Sequence, residues 1–170
     1  MQVAFSRGKD LVGKSIRFFT SNEYLNYSSG FSHCGVLSKD GQKIIHATQI
    51  GVHVTSLDTY KNIFPDTVIE NLWIPNEESA YSFLIFQLGK LYDFSAIPAL
   101  IAPDWMTGKR NWQEPDRWFC SELIAASAVA GGRVMQLKPN LVTPNQLYIE
   151  TKCLPIESVY NHKIGATILA

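Results

Sequence analysis

Along the chain the apolar positions change period, from helical spacing to short alternating runs and back to helical spacing. Leu11, Val12, Ile16, Phe18 and Phe19 stand among Lys9, Lys14 and Arg17, which predicts a modest amphipathic helix within 8–20. The polar, small-residue stretch 21–30 reads as a loop. Short strands are expected at 32–37 and 42–48 on either side of Ser38-Lys39-Asp40-Gly41, a hairpin signal, with further strands at 52–57 and 68–74. Asn76-Glu77-Glu78 then opens a helix of about 14 residues that ends near Gly89-Lys90. Residues 91–115 are irregular, with a short helix expected at 95–101. A helix over 119–130 is apolar all round, hence buried, and stops at Gly131-Gly132. Thr143-Pro144-Asn145 starts a last short helix over 141–149, and a final strand is expected at 154–160. Helices, then strands, then helices give an α+β class in one domain spanning 1–170.

The hairpin carries the first chemistry. With Asp40-Gly41 as a two-residue turn, Leu37 faces Ile44, Gly35 faces His46 and His33 faces Thr48. His33 and His46 then point to one side as diagonal neighbours, roughly 7–8 Å apart at the backbone. A Lys39-Asp40 turn would set them directly opposite, and only an odd-length loop would split them. Gly35 leaves room between them. Cys34 points to the other side in each of these even registers and reads as core packing.

Far downstream, Trp118-Phe119-Cys120-Ser121-Glu122-Leu123 puts a cysteine where a loop gives way to the buried helix. Unpaired backbone N–H groups and the positive end of the helix dipole favour a thiolate there. The dipole contributes about 0.3–1 kcal/mol, less than the ~1.4 kcal/mol of one pKa unit, so an adjacent imidazole has to do the rest. A cysteine with histidines distant in sequence fits a thiol nucleophile with its base. Cys120 is the expected nucleophile, His33 its base and His46 the group that fixes the base's tautomer.

Composition narrows the classes. Formal net charge is zero and no basic run is present, which gives no support for a nucleic-acid partner. Three widely spaced cysteines do not form a disulfide framework. The start of the chain lacks a secretory h-region and the longest apolar run, 97–102, contains Pro98. A cytoplasmic protein without stable membrane insertion is the expectation. His33, His46 and His53 match no zinc spacing, so no metal or other cofactor is expected.

Ser32-His33-Cys34-Gly35-Val36 and Phe119-Cys120-Ser121-Glu122-Leu123 resemble the histidine strand and nucleophile helix of the circularly permuted NlpC-type papain-like cysteine hydrolases. Residues 44–52 resemble the strand bearing the third polar residue, Gly89-Lys90-Leu91-Tyr92-Asp93-Phe94 the segment before the nucleophile, and Thr143-Pro144-Asn145-Gln146-Leu147 a motif near the end. A histidine at the third position is closer to the lecithin retinol acyltransferase-like and YiiX-like branch. The resemblance implies a small antiparallel sheet packed against a central nucleophile-bearing helix. It also implies thiolate attack on an amide or ester carbonyl through an acyl-enzyme, with Tyr92 lining the oxyanion site beside the Cys120 N–H. Amide hydrolysis of cell-wall peptides or small aminoacyl compounds is the expected activity on a small-molecule or peptide substrate. An acyltransferase or lipid thioesterase, or a catalytically silent binding module, is the alternative. An acyl-chain enzyme needs an apolar channel, whereas a peptide hydrolase needs polar anchors. Glu122 is expected to answer the helix dipole or a basic partner, Asp93 to cap the helix after it, and Trp105, Trp112 and Trp118 to pack rather than line a groove.

Overall fold

The computed structural model describes residues 1–9, 11–20, 30–95 and 116–153 of the 170-residue chain. In chain order the elements are β1 (Gln2–Ser6), α1 (Leu11–Thr20), β2 (His33–Leu37), β3 (Lys43–Thr48), β4 (Gly51–Ser56), α2 (Leu57–Ile63), β5 (Thr67–Asn71), α3 (Glu77–Phe86), β6 (Leu91–Tyr92), β7 (Arg117–Trp118), α4 (Cys120–Ala130), a 3₁₀ turn (Pro139–Leu141) and α5 (Pro144–Lys152). This is a mixed α+β fold. Five antiparallel strands form one sheet in the order β4-β3-β2-β1-β5, and β6 and β7 pair in parallel.

The hairpin register is the one that the Asp40-Gly41 turn predicts: Leu37 lies opposite Ile44 and Val36 opposite Ile45. Strand β2 is buried at every position, so the sheet has two covered faces. On one, Val3, Phe5, Cys34, Val36, Ile45 and Ala47 join Leu123, Ile124 and Leu147 in the main core beneath α3, α4 and α5. On the other, Ala4, Leu37 and Ile44 pack under Tyr60 of α2, with Leu57 and Phe64 beside them. At roughly 1.5–3 kcal/mol for each large apolar side chain buried, the main core supplies most of the burial energy.

Besides the short β6, β7 and 3₁₀ turn, two elements were not expected. Strand β1 lies between β2 and β5, covered on both sides, and therefore lacks polar alternation. Helix α2 begins at Leu57 because Ser56 caps it, its hydroxyl accepting from the Thr59 N–H at 3.1 Å. Helix α3 is shorter than expected, closing at Phe86 with a turn through Gly89 at φ +83°. The helix expected at 95–101 and the strand at 154–160 fall, but for Ser95, outside the described residues, as do Trp105 and Trp112.

Close packing brings the β4 edge to the segment carrying Tyr92. Gly51, at φ +99°, has the Lys90 carbonyl oxygen 2.4 Å from where a Cβ would stand, and Val52 N–H donates to that oxygen at 2.8 Å. The β6–β7 ladder sets Tyr92 opposite Trp118, and Asp93 N–H donates to the Trp118 carbonyl at 3.2 Å. Trp118 is packed, as expected: its indole N–H reaches Gln87 Oε1 at 3.1 Å and its ring stands edge-on to Phe83.

Candidate active site

Cys120 is the first residue of α4, after an extended Phe119 at φ −83° and ψ 154°. Its own N–H belongs to the first turn, where no intrahelical acceptor exists. Ser121 anchors this turn by donating to the Val142 carbonyl at 2.6 Å. Helix α5 fixes the other partner: buried Asn145 accepts from the Phe31 N–H at 2.6 Å, two residues before His33. Thr143 caps α5, its hydroxyl accepting from Gln146 N–H while the Gln146 side chain answers Thr143 N–H. The sequence marked the Thr-Pro-Asn segment as a helix start, and its tie to the histidine strand emerges only in three dimensions.

The structure brings Cys120, His33 and His46 into one connected set. Interaction with His33 favours the ionised form of the Cys120 sulfur. His33 Nε2 and His46 Nδ1 are 2.9 Å apart, and His46 Nε2 is 2.9 Å from Thr55 Oγ1. With Nε2 of His33 engaged, Nδ1 is left for the sulfur. A consistent proton assignment runs His33 Nε2–H to His46 Nδ1 and His46 Nε2–H to the Thr55 hydroxyl oxygen. Thr55, which sequence reasoning missed, thereby sets the tautomer of His46. A β3 register of Ile44 opposite Thr55 and His46 opposite His53 places both beside His46, a consequence of period-two alternation across β4.

Aromatic rings hold the imidazoles. His33 stacks on Phe64 with centroids 5.0 Å apart, and Tyr60 stands 5.2 Å from His46. His53 lies 4.4 Å from His46, with its Nδ1–H donating to the Gly51 carbonyl at 3.0 Å. Gly35 permits this crowding: a Cβ there would lie 3.0 Å from the His46 Cβ and 2.5 Å from Ile44 Cγ2. Burial, together with the neighbouring His33 and His53, pulls the His46 pKa down to about 2. His46 is therefore a neutral acceptor at any ordinary pH.

Cys34 turns away from the two rings and lies in the main core, as expected, on the side where α4 packs. The rings and α4 lie on opposite faces of the sheet, and Cys120 approaches His33 at the first position of β2. Burial pushes the Cys120 thiol up. Hydrogen bonds from the Cys34 thiol and from His33, the His33 charge and the Cys34 backbone N–H outweigh it and hold the group well below its ordinary value. Burial, and the negative sulfur beside it, push Cys34 well above.

A cleft of about 460 Å³ opens on the imidazole side, lined by His33, His46 and His53 with Ile50, Phe64 and Tyr92 among its walls. None of the described residues lining it is Asp, Glu, Lys or Arg. Tyr92 is 9 % exposed, 5.0 Å from Phe94 and 5.9 Å from Phe119, ring to ring. Asp93 accepts from the Ser95 N–H at 2.8 Å in a local turn, while the helix it was expected to cap lies, but for Ser95, outside the described residues. Glu122 accepts from the Phe119 N–H at 3.4 Å, and its other oxygen, Oε1, is buried without a hydrogen-bond partner among the described residues. Among those residues no helix is long and apolar enough to cross a membrane, and no group of three or more His, Cys, Asp and Glu side chains could hold a metal ion.

This mixed α+β fold with its five-stranded antiparallel sheet is similar to that of a solved structure, the metalloprotein YiiX from Escherichia coli O157:H7 (DUF1105). The TM-score is 0.53 at 19 % identity, over 74 % of this chain and 62 % of that one. At that identity the likeness is one of fold, and this chain spans less than two thirds of YiiX. No protein-family model matches the sequence, and no curated protein does.

Proposed function

We propose that this chain is a cysteine hydrolase of the permuted papain-like kind, acting on an amide or ester carbonyl through an acyl-enzyme. The observation that supports it is the linked set Cys120–His33–His46–Thr55 at the N-terminus of a buried helix. The Cys120 thiolate attacks the carbonyl carbon, forming a C–S bond while the π electrons move to oxygen. The Cys120 backbone N–H, with Tyr92 as the second candidate donor, receives that oxyanion. Collapse breaks the bond to the leaving amine or alkoxide, which takes the proton His33 had accepted from the thiol. Water then gives a proton to His33 and attacks the thioester, releasing the acid and restoring Cys120. Neutral His46 accepts from His33 throughout and steadies its charged form.

The uncharged lining of the cleft favours a second reading of the substrate, an ester or thioester of an apolar acyl group, with acyl transfer replacing hydrolysis when another nucleophile enters. Charged peptide termini find no counter-ion among the described lining residues. YiiX is described as a metalloprotein, but the donor set here does not suit an ion. His46 has both ring nitrogens engaged by His33 and Thr55, and His53 spends Nδ1 on a backbone carbonyl.

Alkylation of the intact chain by iodoacetamide from pH 4 to 9, followed at the Cys120 peptide, tests the nucleophile. Cys120 is 1 % exposed, so access scales the rate, whereas the pH midpoint reports ionisation alone. A midpoint well below the ~8.5 of a free thiol, raised in His33→Ala, is expected. A midpoint near 8.5 in the wild type would refute the proposal. Acyl esters of increasing chain length, set against aminoacyl amides, separate the two substrate readings.

A further inference from the structure

We propose that His53 is a specificity-determining residue of the cleft, its Nε2 accepting a hydrogen bond from an N–H or O–H that an uncharged substrate carries near the scissile carbonyl. The inference rests on the cysteine-hydrolase reading and names a feature of the substrate that this reading leaves open.

His53 stands on β4, the strand that ends the sheet, directly opposite His46 and on the same face. Its ring lies 4.4 Å from that of His46, whose own ring is 5.2 Å from that of His33, so His53 is one imidazole removed from the base. The three rings are not equivalent. His46 has Nδ1 engaged by His33 and Nε2 by Thr55, while His33 has Nε2 engaged by His46 and Nδ1 left for the sulfur. His53 is engaged through Nδ1 alone, 3.0 Å from the Gly51 carbonyl oxygen. A carbonyl can only accept, so Nδ1 carries the proton and the neutral ring presents a lone pair at Nε2. That nitrogen has no hydrogen-bond partner among the described residues, and His53 is half-buried in the wall of the cleft. The anchoring stretch is held in turn: Val52 N–H donates to the Lys90 carbonyl and Gly89 N–H to the Val52 carbonyl, each at 2.8 Å. A ring flip would forfeit the bond to Gly51, so the acceptor keeps its direction. None of the described lining residues is Asp, Glu, Lys or Arg, so this acceptor sorts substrates by a neutral donor and not by charge.

N-hexylchloroacetamide and its N-methyl derivative are both uncharged and differ by a single N–H. Their alkylation rates at Cys120, read by peptide mass and each divided by the rate with a small free thiol, are compared in the wild type, His53→Phe and His53→Gln. The wild type should favour the N–H probe roughly three- to tenfold, the range of one hydrogen bond. His53→Phe keeps a flat ring against His46 and should lose the preference, whereas His53→Gln keeps an acceptor and should retain part of it. A purely structural role would change both rates by the same factor. No preference in the wild type, or an undiminished one in folded His53→Phe, overturns the inference. Nitrogen NMR of ring-labelled His53 in the wild type at alkaline pH decides even when the variants do not fold. The proton should sit on Nδ1, and the Nε2 signal should move on adding N-hexylacetamide; a proton on Nε2, or an unmoved signal, overturns the inference. Loss of the probe preference with a low Cys120 alkylation midpoint sinks this inference alone, whereas a midpoint near that of a free thiol sinks the hydrolase reading.

Discussion

Replacing Glu122 by glutamine should stabilise the protein, and only above about pH 5. Burial, with the Asp93 carboxylate nearby, raises the Glu122 pKa from 4.5 to about 7 despite the Phe119 N–H that favours the anion. In the unfolded chain the carboxyl ionises through 4.5, while in the folded chain it stays protonated until about 7. The folded state therefore holds its full share of stability below 4.5 and loses it as pH rises toward 7. At about 1.4 kcal/mol per pH unit the loss reaches about 3 kcal/mol. His46 works the opposite way. Its folded pKa of about 2 lies below the unfolded 6.5, so its contribution is present above 6.5 and declines as the solution is acidified. Between pH 4.5 and 6.5 these two slopes are equal and opposite, and the wild type should show little change on their account. Glutamine retains the oxygen that accepts from Phe119 and carries an amide able to donate toward Asp93. Denaturant unfolding at pH 4.5, 6 and 8 should give equal stabilities for wild type and Glu122→Gln at the lowest pH. At pH 8 the variant should lead by about 3 kcal/mol, or roughly 6–12 °C in Tm. Parallel curves for the two proteins across this range would refute the reasoning.

Gly35→Ala puts a Cβ 2.5 Å from Ile44 Cγ2 and 3.0 Å from His46 Cβ, so overpacking should cost about 1–3 kcal/mol in denaturant unfolding and slow Cys120 alkylation by shifting His46. Thr55→Val removes the acceptor of the buried His46 Nε2–H and should cost about 1–3 kcal/mol, while Thr55→Ser should cost little. If the assigned tautomers hold, nitrogen NMR of His46 labelled in the ring will show the proton on Nε2 in the wild type and a mixture in Thr55→Val. Asn145→Ala frees the Phe31 N–H and should loosen the start of β2, seen as faster amide hydrogen exchange at Phe31 with α4 unaffected.

What the sequence made legible was local pairing. The turn at Asp40-Gly41 fixed the hairpin register, and with it the shared side of His33 and His46, because a one-residue slip would turn every side chain over. Capping residues marked the start of α5, and the all-round apolar run marked α4 as buried. Strand β1 was missed because a central strand covered on both faces shows no alternation, and α2 because its seven residues carry no long periodic pattern. Thr55 and Asn145 were missed for a different reason. One acts through strand pairing with β3 and the other through a contact spanning more than a hundred residues, and neither leaves a local signal.

The layout of the site follows from how β2 is built. A strand with one wet face could offer the site only every second residue. Strand β2 is buried on both faces, so consecutive residues 33, 34 and 35 each meet a different neighbour. His33 turns to the rings of α2 and β3, Cys34 to the core beneath α4, and Gly35 withdraws to let His46 approach. The helix does not have to share a face with the imidazoles; its N-terminal end only has to lie where β2 begins. Seating Cys120 at that end brings it to the stretch of β2 from which His33 and Cys34 leave by opposite faces. These two could not be moved independently, because the pleat sets the angle between residues 33 and 34. An insertion of one residue within 33–37 would exchange the two faces, turn His33 onto the core side and abolish the contact, whereas a longer loop between Ser38 and Lys43 that preserved the register would leave it intact.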